Sequence, residues 1–373
     1  MMAWKHRSQT QANQAAGGEA WTRYIAAFSS SEVVPMPSSP VPDFARALIG
    51  LVRSCRRVLL TGPKDVDGDS LGACLALATA LERLSDAQVV VAADVGWRYR
   101  DLPRAGDCVP DAEVRGPFDL AVVLDGDRRR LSSDIAAVFA SASHQAVIDH
   151  HRSTEGQGYD LALVDATSAS TAELVHAVLA AWQVPLDADL ACLLLTGVAY
   201  DTGGFRHTNT TPQTLRLVAD LVEAGADYSP VVVRTASERR KAGLLLLGHT
   251  LHGASFHADD RVVVGVVRRA KLAEVGAEPG DLDFIVDQLL YVQGVDVAIL
   301  AVERGTDAQP RVKLSLRSRG GTNVCAIAAA LDPCGGGHQR AAGVVLEGQL
   351  DAVLAQRVLP MIQQALDSLP PAR

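Results

Sequence analysis

The chain has 373 residues, too many for one ordinary hydrophobic core, so two domains are expected. Its 48% hydrophobic and 21% charged residues exclude a disordered or membrane-embedded polypeptide, and no apolar run reaches the roughly 20 residues that span a bilayer. The net charge of −8 argues against a broad basic surface for long nucleic acid. A small anionic substrate stays open, because metal ions in a pocket override the global sign.

Residues 1–42 contain "SSSEVVPMPSSPVP" and lack a continuous apolar signal segment, so a disordered or variable extension and a cytoplasmic location are expected, with Met36 a second candidate start. The six cysteines show no CxxC spacing and several lie in apolar stretches, as small buried hydrophobes of a reducing compartment do. A helix over 43–54 leads to the strand "RVLLTG", an acidic turn and the helix "SLGACLALATALERL". The strands "AQVVVAA", "FDLAVVLDGD" and "HQAVIDHH" follow, with the helix "SSDIAAVFASA" between the last two. Short apolar strands separated by amphipathic helices predict an α/β domain whose mostly parallel sheet is flanked by helices.

Next come the helices "STAELVHAVLAAW", opened by the Ser170–Glu173 capping pair, "ADLACLLLTGVAYDTGG" and "TPQTLRLVADLVEAGAD". The charged stretch "VVRTASERRKAGLLLLGHTL" reads as a linker helix. The expected boundaries are therefore a catalytic domain over 43–225, a linker helix over 226–250 and a second domain over 251–373. The second domain changes rhythm: strand "RVVVGVV", helix "DLDFIVDQLLYV", strands "VDVAILAVE" and "RVKLSLRS", helix "NVCAIAAAL", the loop "CGGGHQRAAG", strand "VVLE" and a final helix. That order predicts a smaller α+β domain with a mixed sheet. No internal repeat is evident.

In parallel sheets, ligands gather at the carboxyl ends of the strands. Asp65, Asp67 and Asp69, then Asp125 with Asp127, then Asp149, His150 and His151, each follow an apolar strand. Singly, an acidic glycine turn or an aspartate helix cap explains the first two groups. The adjacent histidines are more specific, since both cannot face the core. Asp201, at the end of an otherwise apolar helix, is a fourth candidate. Carboxylates and imidazoles without a thiolate suit Mn²⁺ or Mg²⁺ better than structural zinc, and a pair of cations would offset the mutual repulsion of the aspartates. Outside these groups, His144, His176, His207, His249, His252 and His257 read as surface or satisfied histidines. Arg128, Arg129 and Arg130 read as a solvated helix start, and "ERRK" at 238–241 as the solvated face of the linker. The glycines before His338 read as a ligand-facing loop.

"VDGDSLG", "VVLDGD", "VIDHH" and "DTGGFR", in this order, resemble the four motifs of the DHH phosphoesterase superfamily. "LSLRS" followed by "GGGHQRAAG" resembles the DHH-associated C-terminal domain, and together the resemblance covers 43–368. "TSASTAE" and "FRHTNTTPQTLRLVADLVEAGAD" are similar to the stand-alone branch of oligoribonucleases (nanoRNases) and 3′-phosphoadenosine-5′-phosphate (pAp) phosphatases.

The resemblance implies two Mn²⁺ ions, with Mg²⁺ the alternative. Asp125 would bridge them, Asp67 would serve the first, and Asp69, His150 and Asp201 the second. Asp149 would orient His150, and His151 would lie near the scissile phosphate. Gly336 and Gly337 would let a nucleotide approach their backbone beside His338, while Arg317, Ser318 and Arg206 would hold phosphate or base, with Arg340 a weaker candidate. Stand-alone members carry a histidine where this chain has Pro63; RecJ-like members use a DxDxDG form, so Asp65 is expected to replace that ligand or to leave the first site weaker. The implied activity is attack of water, its pKa lowered by the two metals, on short RNA or DNA oligonucleotides of about two to five residues, or on linear dinucleotides such as pApA or pGpG, giving nucleoside 5′-monophosphates. A pAp 3′-phosphatase, a RecJ-like single-strand exonuclease and a non-catalytic nucleotide-binding regulator are the alternatives. A homodimer is allowed and no membrane partner is expected.

Overall fold

The computed structural model describes residues 41–278 and 280–367, so the expected extension lies outside the described residues as far as Pro40. Val41 and Pro42 open the first helix instead, α1 (Val41–Val52). Five strands, β1 (Arg57–Thr61), β2 (Gln88–Ala92), β3 (Leu120–Leu124), β4 (His144–Asp149) and β5 (Leu161–Val164), form one sheet in the order β2-β1-β3-β4-β5. Every pairing is parallel. β5 has no counterpart among the expected strands: its apolar run is only four residues long and lies at the sheet edge, where Leu163 alone is fully buried.

The apolar runs of β1, β3 and β4 bury both faces. Val58, Leu60, Val122, Leu124 and Ile148 pack beneath α1, α2 (Gly68–Leu84), α4 (Thr171–Ala181) and α5 (Ala188–Asp201). Leu59, Ala121, Val123 and Val147 face the opposite layer, where α3 (Ser133–Ala140) supplies Ile135 and Phe139. Such two-sided burial requires continuous rather than alternating hydrophobicity. The strand order reverses direction between β1 and β3, which opens a crevice at their carboxyl ends.

α6 (Pro212–Glu223) and α7 (Tyr228–Ala236) complete this part, with Leu217, Leu221 and Val231 in its core. The expected linker helix is two helices. α7 stops at Ser237, and α8 (Lys241–His252) starts after Arg240 and contributes Leu246 to the second core. Buried Arg98 fixes the break: its Nη1 donates to the carbonyls of Arg234 (2.9 Å) and Glu238 (2.7 Å), and its Nη2 to Gly280 (3.2 Å). Helix-end carbonyls thus find a partner that a sequence reading of residues 232–251 does not reveal.

The second sheet runs β10-β11-β9-β8-β7-β6, from β6 (Ser255–His257), β7 (Val262–Val267), β8 (Val297–Gly305), β9 (Pro310–Ser318), β10 (Gly336–His338) and β11 (Ala341–Glu347). β7 and β8 are parallel and the other neighbours antiparallel, which makes the sheet mixed. One face carries α8, α9 (Arg269–Val275) and α10 (Ile285–Leu290); the other carries α11 (Val324–Leu331), α12 (Leu350–Val353), a π-helical turn and α13 (Leu359–Asp367). α10 is shorter than the expected helix over 281–292, because Phe284 takes a left-handed φ of 58° and stops it at that end. Along β9, Val312, Leu314 and Leu316 point into the core, so Lys313, Ser315 and Arg317 lie on the other face. Lys313 there meets Asp65 of the first sheet's crevice at 3.3 Å. No helix among the described residues is long and apolar enough to cross a membrane.

Candidate active site

The turn after β1 delivers Asp67 as the N-cap of α2. Its Oδ1 accepts from the amides of Asp69 and Ser70 (both 3.0 Å), and Ser70 Oγ accepts from the Asp67 amide (3.1 Å). A carboxylate is favoured at that helix terminus. Asp69, fully buried, crosses to α4: its Oδ2 accepts from the Thr171 amide (2.6 Å) and its Oδ1 from the Ala172 amide (2.9 Å). Gly197 of α5 makes room, since a Cβ there would stand 2.6 Å from Asp69 Oδ1 and 2.6 Å from Ala172 Cβ.

At the end of β3, Asp125 holds a left-handed φ of 62° while its amide donates to Ile148 (3.0 Å). A non-glycine residue in that region is strained and is kept there by its surroundings. Thr171 Oγ1 donates to its carboxylate (3.3 Å). His150 Nδ1 donates to the Ser168 carbonyl (3.3 Å), which only accepts, so Nε2 is the nitrogen that faces the acids. From Nε2, Asp201 Oδ2 lies at 2.7 Å, Asp125 Oδ1 at 3.5 Å and Asp69 Oδ2 at 3.9 Å, yet this buried nitrogen makes no aligned hydrogen bond. His151 Nδ1 lies 2.7 Å from Asp149 Oδ1, and its Nε2 3.5 Å from Arg130 Nη1. His338 arrives from β10 and stacks on His151, with ring centroids 4.7 Å apart and planes at 23°.

These groups perturb one another strongly. Burial, then Asp201, pushes the Asp69 carboxyl well up; burial, then Asp67 and Asp69, does the same to Asp125. Burial, then Asp201, also raises Asp67. For His150, burial favours the neutral ring, but the carboxylates of Asp201, Asp125 and Asp69 around Nε2 outweigh it and raise its pKa well above the ordinary value. Burial would raise Asp201 too, but the neighbouring His150 ring leaves it lowered. Burial and the neighbouring His151 and His150 bring His338 down to about 4, so it is neutral near pH 7. A cluster of acids that compete for protons around an imidazole fits a divalent cation, which replaces the proton and offsets the repulsion.

Asp69, Asp125, His150 and Asp201 offer ligand atoms within 4.8 Å of one another, as do Asp125, Asp149 and His151. Asp125 is the residue these two sets share. His150, His151 and His338 form a third such set. Asp67, whose Oδ1 caps α2, belongs to none of the three sets.

Several expectations need correction. Asp149 contacts His151 rather than His150, whose orientation comes from the Ser168 carbonyl, because the chain turns after β4 and brings the second ring back over the carboxylate. Asp65 lies outside the cluster, its side chain 83% exposed and paired with Lys313, where the expectation had it beside the other acids. Ser318 is buried and spends its hydroxyl proton on the Thr322 carbonyl (2.7 Å), where the expectation had it donating to a ligand. Gly337, at φ 136°, is needed by its own hairpin, since a Cβ would meet Ala341 O at 2.4 Å; beside Gly336 there is open space.

Arg317 faces the crevice, with its Nε 3.2 Å from Asp287 Oδ1. Arg206 Nε donates to Gly203 O (2.6 Å), and its guanidinium lies 5.9 Å from the Tyr291 ring. Arg340 contributes a backbone carbonyl to the Ser318 amide. Arg130 reaches the site although its charge run reads as solvent-facing. His207 bridges the Asp201 carbonyl (3.0 Å) and Asp287 Oδ1 (3.3 Å). Asp287 was missed altogether; its only sequence signal is a lone acid in the apolar run "FIVDQLL".

A two-domain chain with acids and imidazoles gathered at a parallel-sheet crevice, and a histidine from the second domain laid over them, matches a known family. Residues 57–198 match the DHH family N-terminal domain and residues 259–367 the DHHA1 domain. The chain belongs to the DHH family. It is 33% identical over 305 residues to the bifunctional oligoribonuclease and PAP phosphatase NrnA of Thermus thermophilus, covering 81% of this chain and 88% of that protein. The crystal structure of an exopolyphosphatase-related protein from Bacteroides fragilis superposes with a TM-score of 0.74 at 20% identity, over 87% of this chain and 96% of that one. RecJ from Thermus thermophilus in complex with Mn²⁺ superposes with a TM-score of 0.51 at 15% identity, over 92% of this chain and 57% of that one. These two structural likenesses establish the fold alone.

Proposed function

We propose that the chain is a divalent-metal-dependent phosphoesterase that hydrolyses short RNA oligonucleotides and linear dinucleotides to nucleoside 5′-monophosphates. The observation that carries this reading is the buried His150 Nε2 amid Asp201, Asp125 and Asp69, with Asp125 shared by a second ligand set. The curated relative named as an oligoribonuclease and PAP phosphatase supports the substrate class. Asp69, Asp125, His150 and Asp201 would hold one cation, Asp125 with Asp149 and His151 a second, and Asp67 would add negative charge beside them. Mn²⁺ is the proposed metal, with Mg²⁺ the alternative, because the donors are oxygen and imidazole nitrogen. Bound there, such ions lower the pKa of water and stabilise charge on phosphorus and the leaving oxygen.

The chain's own residues supply the rest. His151 turns Nδ1 toward Asp149 (2.7 Å) and Asp125 (3.7 Å), the second ligand set, and leaves Nε2 beside Arg130. Neutral His338 closes the opposite side, while Arg317 and Arg206 offer guanidinium donors to phosphate. A second domain laid over the crevice favours a short substrate. The PAP phosphatase half of the relative's name favours pAp as a second substrate of the same site. Incubation of the protein with pApA or pAp, each with Mn²⁺, Mg²⁺ or a chelator, tests the reading. Expected are AMP from both, inorganic phosphate from pAp alone, and neither product with chelator. Intact pApA and pAp in the presence of both metals would refute it.

A further inference from the structure

The guanidinium of Arg317 sits on a flexible stem, and a phosphate grip needs that stem held in one direction. Two bonds hold it: Nε meets Asp287 Oδ1 at 3.2 Å, and Nη1 donates to the Leu316 carbonyl at 3.2 Å. Nη2 takes no part in either. Asp287 belongs to α10 and is 2% exposed, a costly place for a carboxylate unless charged partners meet it. Its Oδ1 also faces His207 Nε2 at 3.3 Å, and His207 Nδ1 reaches the Asp201 carbonyl at 3.0 Å. A continuous polar chain therefore runs from the helix end that presents Asp201, through His207 and Asp287, to Arg317 of the second sheet.

We infer that Asp287 is a positioning residue: it aims Arg317 at a substrate phosphate and, through His207, ties that grip to the turn bearing Asp201. The inference rests on the proposed reading of Arg317 as a substrate contact. Asp287 touches no substrate itself. An ordinary structural ion pair would contribute to stability independently of Arg317's task, whereas a positioning residue has no effect on binding once Arg317 is gone.

The test is a double-mutant cycle on the full chain, with pApA affinity measured by calorimetry in chelator so that no turnover intervenes. Arg317→Ala and Asp287→Asn should each weaken pApA binding about tenfold, the scale typical of groups that orient a ligand-contacting residue. The double variant should bind as Arg317→Ala does. His207→Gln guards against misfolding of Asp287→Asn: it should weaken binding in the wild-type background and have no effect beside Arg317→Ala. Additive losses, or unchanged affinity in Arg317→Ala or Asp287→Asn, would overturn the inference; unchanged affinity in His207→Gln would remove the link to Asp201. Failure of the functional reading shows separately, as absence of pApA and pAp turnover by the Mn²⁺-loaded wild type.

Discussion

Asp65 and Asp67 stand two residues apart and end in different surroundings, one exposed against Lys313, the other capping α2 inside the crevice. Asp65→Ala should therefore leave the Mn²⁺ dependence of the rate superimposable on wild type, and a shifted titration curve would return Asp65 to the ligand set. Asp125 is shared by two candidate ligand sets, so Asp125→Asn should lower turnover by about 100-fold or more. The same variant should melt at a higher temperature than wild type in chelator, because one of the mutually repelling buried acids is gone, and should gain less from added Mn²⁺. Thermal melts with and without the metal check both points. Asp287 titrates in the opposite sense. Burial would raise it, but Arg317 and His207 bring it to about 2, below the ordinary 3.8. Its ionised form thus stabilises the fold by about 2 kcal/mol, fully present above pH 4 and lost as pH falls toward 2. Urea unfolding of Asp287→Asn should show that deficit at pH 6 and a narrowing gap by pH 3; a constant gap would assign the loss to packing. Asp69, Asp125, His150 and Asp201 were legible because each follows an apolar run at a strand or helix end. Asp287 and Arg130 were not, since one lies inside a helix and the other in a run of three arginines, with no motif to single either out.

The contact that seats Asp69 belongs to three helices: α2 carries the acid, α4 offers its first amides, and α5 stays bare at Gly197. Gly197→Ala should force these apart, with a loss of about 1–3 kcal/mol in stability and weaker Mn²⁺ binding. Gly50→Ala is the matching control, because Gly50 lies on the solvent face of α1 and a Cβ there meets nothing within 4 Å. It should stabilise by about 0.5–1 kcal/mol and leave metal binding alone. Equal effects of the two substitutions in calorimetric melts would refute the packing argument. Elements with strong local signals were readable in advance: the fully apolar β3 and the capped α4 among them. The division of the linker between α7 and α8 was not, because it depends on Arg98, more than 130 residues upstream, bonding to the carbonyls of Arg234 and Glu238.

Across the whole molecule, His338, Arg317 and Lys313 of the second sheet all meet residues of the first domain: His151, His207 by way of Asp287, and Asp65. This second layer over the crevice is what makes a short substrate the expectation. The parallel order of the first sheet and the mixed second sheet followed from the change in strand and helix rhythm. The depth of the overlap did not, since it is set by side chains that meet only after both domains have folded. The most direct test is turnover of 5′-labelled RNAs graded from the dinucleotide to ~20 nucleotides, with Mn²⁺ and with chelator, for wild type and Asp125→Asn. Wild type with Mn²⁺ should cleave the dinucleotide fastest and lose rate steadily with length, while the chelated and Asp125→Asn reactions stay near background. Turnover that rises with length, or that persists in chelator or in Asp125→Asn, would contradict a metal-dependent site built for short nucleotides.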